Sequence, residues 1–190
     1  GGFEALADEL DVIAAAIARE GSEIVVQERA SSVNHLGSHR IHARGRYPLL
    51  PWGAAFLMNT AAAEAEEKLN KIVPPLSETL RRDVRTQLAC GRKYGFIVAV
   101  SGETEPSTVR NDENFDYLTD IAPEKSYKVA FMVVPIFGAA GEVALCISIN
   151  GFPDSMTGQA VLDAGKRLLQ TCTHVTTFIR GRQPAAFPQV

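Results

Sequence analysis

Hydrogen-bonding side chains that carry no charge are grouped in one segment, EVALCISINGF (142–152), which is predicted to be a β-strand. Because side chains alternate between the two faces of a β-strand, its odd positions form an apolar face of Val, Leu and Ile. The other face is small and increasingly polar. It consists of Ala144, Cys146, Ser148 and Asn150. Neither an apolar core nor a solvated surface, which normally carries charge, explains this second face well.

Three histidines, His35, His39 and His42, form a candidate metal site. On a helix, their spacing of four and three residues would place them together, as zinc ligands require. The neighbouring serines, Gly37 and β-branched residues are more typical of strand and turn, and on a strand His42 would face away from the other two. We therefore expect surface or interface histidines, with zinc as the alternative, and we predict no metal or other cofactor.

A basic group on one predicted helix raises the question of nucleic-acid binding. It consists of Arg81, Arg82, Arg85, Arg92 and Lys93. No aromatic residues alternate with these cations, and the net charge of the chain is -3, which gives no electrostatic footprint for nucleic acid. We expect a solvated face whose cations pair with acidic neighbours.

The sequence contains no recognisable catalytic pattern. The GAAGEV segment is too short for a dinucleotide-binding fingerprint, and there is no Gly-x-Ser-x-Gly elbow. Ser148 has no candidate base near it in sequence. We therefore predict that the protein is not an enzyme.

Length and composition indicate one globular domain. The chain has 190 residues, of which 46% are hydrophobic and 22% charged. It has no apolar run long enough to span a membrane and no secretory signal, so we predict no membrane contact. Its three cysteines fit neither a zinc ribbon nor a disulfide framework, which favours a cytoplasmic protein. The chain begins GGFEAL without Met, so we expect further sequence upstream.

The first half of the chain predicts helices and strands in alternation. Apolar residues at helical spacing predict an amino-terminal helix at 3–20, ended by Gly21. Strands are predicted at 22–29 and 35–45. A helix is predicted from Ala54 onward, interrupted by Pro74 and Pro75, and resumed over 76–94. Gly95 then leads into a strand.

The second half predicts a hairpin and a closing helix. Residues 103–126 form a long polar insertion, interpreted as a lid over a pocket, a surface elaboration or an oligomer contact, with a short helix near 112–121. Two apolar strands joined by GAAG follow. Asp154 or Ser155 is the expected cap of the last helix, which Gly181 ends. This order predicts an α+β domain whose antiparallel sheet has about five strands.

The second half also resembles a known family. The segments GRKYGFIVAVSGE, VVPIFGAAGEVALCISINGF and TTFIRGRQP, with RYPLLPWGAAFLM before them, resemble the carboxy-terminal effector-binding domain of IclR-type bacterial transcription regulators. The resemblance implies a GAF-like (profilin-like) α+β domain over residues 1–184, with a tail at 185–190 and a sheet of five to six strands. It also implies a winged helix-turn-helix DNA-binding domain upstream, and assembly into homodimers or tetramers.

The resemblance also implies the position of an effector pocket. Ser148 and Asn150 match the polar residues that hold the ligand in the family. Other matching or adjoining positions complete the predicted site. They are Pro51, Trp52, Gly53, Ala99, Phe131, Val133 and Cys146.

Several of these residues depart from the family pattern. Pro51 has no N–H to donate, Ala54 stands where the family usually has Lys, and Ala99 and Phe131 lack polar reach. We therefore expect a partly apolar or aromatic effector whose binding modulates DNA binding by a separate domain. The alternative is a dimerisation module whose pocket is filled by Trp52 and Phe131.

Overall fold

The computed structural model describes residues 2–35, 45–50, 52–101 and 115–188. The helices are α1 (Gly2–Leu10), α2 (Ala62–Asn70), α3 (Glu78–Tyr94) and α4 (Gly158–Phe178), with short 3-10 helices at Val33–His35 and Ala54–Leu57. The strands are β1 (Ile13–Glu20), β2 (Glu23–Ser31), β3 (Arg46–Pro48), β4 (Ile97–Ser101), β5 (Phe115–Tyr117), β6 (Ser126–Tyr127), β7 (Val129–Phe137), β8 (Val143–Asn150) and β9 (Met156–Thr157).

Seven of these strands form one antiparallel sheet in the order β3-β2-β1-β8-β7-β4-β5. The predicted hairpin is confirmed as β7 and β8, which pair from Phe131 opposite Asn150 to Phe137 opposite Val143. The sheet has more strands than the five to six expected, and β6 and β9 form a separate two-stranded ladder. The predicted α+β class is confirmed.

Helices cover both faces of the sheet, so there are two apolar cores. On the first face, called the α3 face, the 3-10 helix at Ala54–Leu57, α2 and α3 pack against residues such as Ile17, Ile97 and Val133. On the second face, called the α4 face, α1 and α4 pack against residues such as Met132 and Ile149. Neighbouring residues of each central strand therefore enter different cores.

The predicted amino-terminal helix at 3–20 is wrong beyond Leu10. Asp11 has a φ of 52°, in the left-handed region that interrupts a right-handed helix, and β1 begins at Ile13. The alanine-rich sequence IAAAIARE favours a helix by intrinsic propensity. In the fold, this segment pairs with β2 on one side and β8 on the other, and that tertiary pairing outweighs the local preference.

Other boundaries differ from expectation by smaller amounts. The helix predicted from Ala54 divides into a 3-10 helix and α2, which begins only at Ala62. The residues of β5 form a strand against β4 where a short helix was expected. The cap of α4 is Thr157, whose hydroxyl accepts from the Ala160 N–H, and the helix ends at Phe178 before Gly181.

Other predictions were confirmed or fall outside the described residues. Helix α3 is confirmed, with Ser77 as its amino-terminal cap and Gly95, at a φ of 84°, as its carboxy-terminal cap. Most of the strand expected over 35–45, with His39 and His42, lies outside the described residues, as does most of the insertion. Among the helices of the described part of the chain, none is long and apolar enough to cross a membrane.

The close approach of α4 to the sheet gives a test of this packing. A Cβ added at Gly165 would meet the ring of Phe96, which is 2% exposed. We expect Gly165→Ala to lower the free energy of unfolding by about 1–3 kcal/mol, as overpacking does. Phe96→Leu in the Gly165→Ala background should recover part of the loss, measured by denaturant unfolding. Helix propensity alone would make Gly165→Ala stabilising by about 1 kcal/mol, and that result would contradict the packing.

Candidate functional site

The central strands bring most of the predicted site residues together on the α3 face. Asn150 of β8 lies between Ile13 of β1 and Phe131 of β7, and Ala99 of β4 lies beyond Phe131 in the same row. In the next row Ser148 lies between Ala15 and Val133, and Cys146 follows in the third row. The alternation inferred from the sequence is confirmed, since Cys146 belongs to the core of the α3 face and Ile147 and Ile149 to that of the α4 face.

The two polar side chains of this face are buried without hydrogen-bond partners. Ser148 is 0% exposed and Asn150 is 1% exposed. Within the described part of the chain, the Ser148 hydroxyl and both amide atoms of Asn150 have no hydrogen-bond partner. An unsatisfied buried polar group costs about 1–3 kcal/mol, so three such atoms at adjoining positions require an explanation.

Aromatic residues form one wall beside Asn150. Phe131 is 4% exposed, and its ring meets those of Phe115 and Tyr117 edge-on, at centroid distances of 5.4 and 6.2 Å. Edge-on geometry is a favourable arrangement for such rings. This cluster holds Phe131 in place and gives the Asn150 row an apolar end.

The 3-10 helix at Ala54–Leu57 packs on the α3 face against β8 and β7, and the residues just before it were predicted to line the site. Trp52 is partly buried against the core of that face. Gly53 donates its N–H to the carbonyl of Leu49, and an added Cβ would lie 2.8 Å from Ile24 Cγ2. The Gly53 N–H is therefore already used within the chain. Pro51 lies outside the described residues.

The charge environment of the face is sparse. Burial raises the pKa of the Cys146 thiol well above its ordinary value, so this group is a neutral thiol at physiological pH. Arg29 of β2 lies opposite Ala15 and so shares a row with Ser148, two strands away. Sequence analysis missed Arg29. Its place next to Ala30, which enters the α4 core, is the alternation signal that could have found it.

Four cations of the basic group on α3 bind other groups within the chain. The Arg85 guanidinium donates to Glu66 at 2.8 Å, and this hydrogen bond holds the pKa of the Glu66 carboxyl below its ordinary value. Arg81 lies 3.9 Å from the same carboxylate, and Lys93 pairs with Asp120. Arg92 donates to the carbonyls of Met58 and Thr60. This agrees with the expected pairing and adds a structural role for Arg92.

A cleft of about 630 Å³ lies apart from the predicted site, between the end of α3 and the tail at 184–188. Arg92 and Lys93 line one side of it, and Pro184 and Phe187 the other. Phe187 also packs against Phe137, with ring centroids 5.9 Å apart. None of the residues predicted to bind effector lines this cleft.

Comparison with known proteins gives structural matches. No protein-family model matches the sequence, and no curated protein matches it. The IclR protein of Thermotoga maritima superposes with a TM-score of 0.63 at 17% identity, covering 93% of this chain and 64% of that one. An IclR transcriptional regulator from Alicyclobacillus acidocaldarius gives a TM-score of 0.64 at 15% identity, covering 93% and 64% respectively.

A targeted domain of a protein described as an IclR-family transcriptional regulator gives a TM-score of 0.63 at 17% identity. That match covers 96% of this chain and 94% of the domain. The chain has the fold of these IclR-family domains. The expected GAF-like architecture is thereby confirmed. The chain spans less than two thirds of the length of the Thermotoga and Alicyclobacillus regulators.

The unpartnered Ser148 hydroxyl predicts an unusual stability effect. We expect Ser148→Ala to raise the free energy of unfolding by about 1 kcal/mol, because it removes a buried group that has no hydrogen bond to lose. Thr176→Val is the matched control. Thr176 is also buried, at 2% exposure, but its hydroxyl accepts from the Phe137 N–H at 3.3 Å.

The control should therefore lower stability by about 1 kcal/mol, which urea unfolding at pH 7 can resolve. A loss of stability in Ser148→Ala as large as that in Thr176→Val would show that the Ser148 hydroxyl has a partner after all.

Proposed function

We propose that this chain is the effector-binding and oligomerisation domain of an IclR-type transcriptional regulator. The proposal is carried by one observation: Ser148 and Asn150 are buried at neighbouring positions of one face, and none of their side-chain polar atoms has a partner among the described residues. A bound small molecule would satisfy them. The IclR-type fold supports the regulatory setting, in which a separate domain binds DNA in the cytoplasm.

The surroundings of these two residues indicate the chemical character of the effector. Phe131 and Val133 flank them on β7, and Ile13 and Ala15 flank them on β1. Apolar walls with a few convergent polar groups are typical of small-molecule sites. We therefore infer an effector with an aromatic or alkyl body and one or two polar groups, rather than a two-carbon acid.

Binding would act on DNA by shifting the balance between arrangements of a homodimer or tetramer. A ligand shifts such an equilibrium only as far as its affinities for the two states differ. Site residues on β8, β7 and β1 belong to the centre of the sheet, so a ligand there contacts several elements of the domain at once. Contact with several elements favours a difference in affinity between states. The repressing or activating direction depends on the DNA-binding domain.

A second candidate is a dimerisation module with a filled pocket. It is favoured by the tight packing of Phe131 against Phe115 and Tyr117. The polar atoms of Asn150 weigh against it, because an apolar filling would leave them unsatisfied. Ligand binding separates the two candidates.

Thermal denaturation with a panel of metabolites tests the proposal. At about 100 times its dissociation constant a ligand adds about 2.7 kcal/mol of stability, which for a chain of this size raises Tm by about 5–10 °C. We expect such shifts with aromatic or alkyl compounds that carry one or two polar groups. Asn150→Leu should reduce the shift in Tm. Thr176→Val should leave the shift unchanged, because Thr176 lies on α4 and is not one of the predicted site residues.

Stabilisation by glyoxylate or pyruvate alone would contradict the inferred effector class. Equal shifts in wild type and Asn150→Leu would place the ligand elsewhere on the domain. An absence of any shift across the panel would favour the dimerisation module.

A further inference from the structure

The side-chain amide of Asn150 limits which hydrogen-bonding groups a ligand can place beside it. Its Oδ1 only accepts hydrogen bonds and its Nδ2 only donates them. Both atoms are buried and without partners in the described part of the chain, and the residue is 1% exposed. A ligand that satisfies both atoms must therefore present a donor and an acceptor next to one another.

The neighbours of Asn150 limit what else can supply these bonds. In its own row the side chains on either side belong to Ile13 and Phe131, which offer no polar group. Ser148 lies two residues away on the same face, and in the described part of the chain its hydroxyl has no partner either. Both side chains are closed to bulk solvent, with exposures of 0% and 1%. A ligand bound beside them can therefore supply both the donor and the acceptor.

A carboxylate fits this arrangement poorly. It has only acceptor atoms, so it would bind Nδ2 and face Oδ1 with a second negative oxygen. Burying its charge is costly unless a cation pairs with it. In the row that contains Ser148, the cation is Arg29, which lies opposite Ala15. The Cα atoms of Arg29 and Ser148 are two strand spacings apart, roughly 10 Å. A neutral group avoids both costs.

We propose that the protein recognises the effector by a neutral cyclic amide, as in a lactam, a pyridone or a pyrimidinone. The edge of this amide would pair with both amide atoms of Asn150. The ring N–H would donate to Oδ1 and the ring carbonyl would accept from Nδ2. The Ser148 hydroxyl would bond a second polar atom of the ring system, and the ring edge would lie beside Phe131. This inference rests on the proposed function, since it assigns the ligand class of the same site.

Isothermal titration with three bicyclic probes of similar size tests the inference on the 190-residue chain. The probes are 2-quinolinone, N-methyl-2-quinolinone and 2-naphthoate, with 2-pyridone and uracil as smaller cyclic amides. We expect 2-quinolinone to bind at least tenfold more tightly than its N-methyl analogue, which keeps the carbonyl but lacks the donor. The charged naphthoate should bind more weakly still.

Three variants test which residue the preference depends on. In Asn150→Leu the tenfold preference for 2-quinolinone over its N-methyl analogue should disappear, and in Ser148→Ala it should remain because the amide of Asn150 is intact. Thermal unfolding of each variant establishes that it is folded. Arg29→Gln should leave the 2-quinolinone affinity unchanged.

Three outcomes would overturn the inference. One is equal binding of 2-quinolinone and its N-methyl analogue, and another is tightest binding of 2-naphthoate with loss of affinity in Arg29→Gln. The third is Asn150-dependent binding of other metabolites with no binding of any cyclic amide, which leaves the proposed function intact. Absence of Asn150-dependent binding by every probe and metabolite would instead remove the proposed function, and the inference with it.

Discussion

The pairing of β1 with β8 holds the two halves of this domain together. Strands β3 and β2 lie on one side of it, and β7, β4 and β5 on the other. The ladder runs from Ile13 opposite Asn150 to Ala18 opposite Leu145. Because β1 comes first among the strands and β8 is a late one, the ladder forms only when the chain has closed on itself. The same ladder sets Asn150 and Ser148 into the middle of the sheet.

Burial of the sheet on both faces is the second constraint. Because of it, Ser148 and Asn150 lower the stability of the fold when they lack hydrogen-bond partners. A strand at the centre of a two-sided sheet has no solvated face, so its polar side chains must find partners in the protein or in a ligand. Thr176, a buried polar residue of α4, has such a partner in the Phe137 N–H. Within the described part of the chain, Ser148 and Asn150 on β8 have none. Sites where a fold departs from its own packing rules are often functional, and here the departure lies on the face where the IclR resemblance places the effector.

Sequence patterns predicted the parts of the fold whose local and tertiary preferences agree. The β7–β8 hairpin and α3 are of this kind. Strand alternation predicts the hairpin, helical spacing predicts α3, and Gly95 predicts where α3 ends. The segment at β1 is not. Its alanines favour a helix, and only pairing with distant strands makes it a strand, which no local pattern reveals.

For the site, strand alternation predicted which residues of β8 share a face, and this part needed no knowledge of the partner strands. The contribution of β1 was missed with the strand itself, and Arg29 was missed with it. The structure was also needed to show that the Gly53 N–H is already bonded. It donates to the carbonyl of Leu49, four residues earlier, and the composition of the segment does not specify that hydrogen bond.

The small and apolar residues of β1, which favour a helix by propensity, lie beside the polar residues of β8 in the sheet. Ala15 lies opposite Ser148, and its methyl group offers the hydroxyl no hydrogen bond. Ile13, opposite Asn150, is longer but apolar, so it confines the amide without satisfying it. Small and apolar residues on β1 thus enclose the polar atoms of β8 without supplying hydrogen bonds to them. Strands favour β-branched residues, so alanine at position 15 forgoes some of the stability that such a residue would add to the sheet.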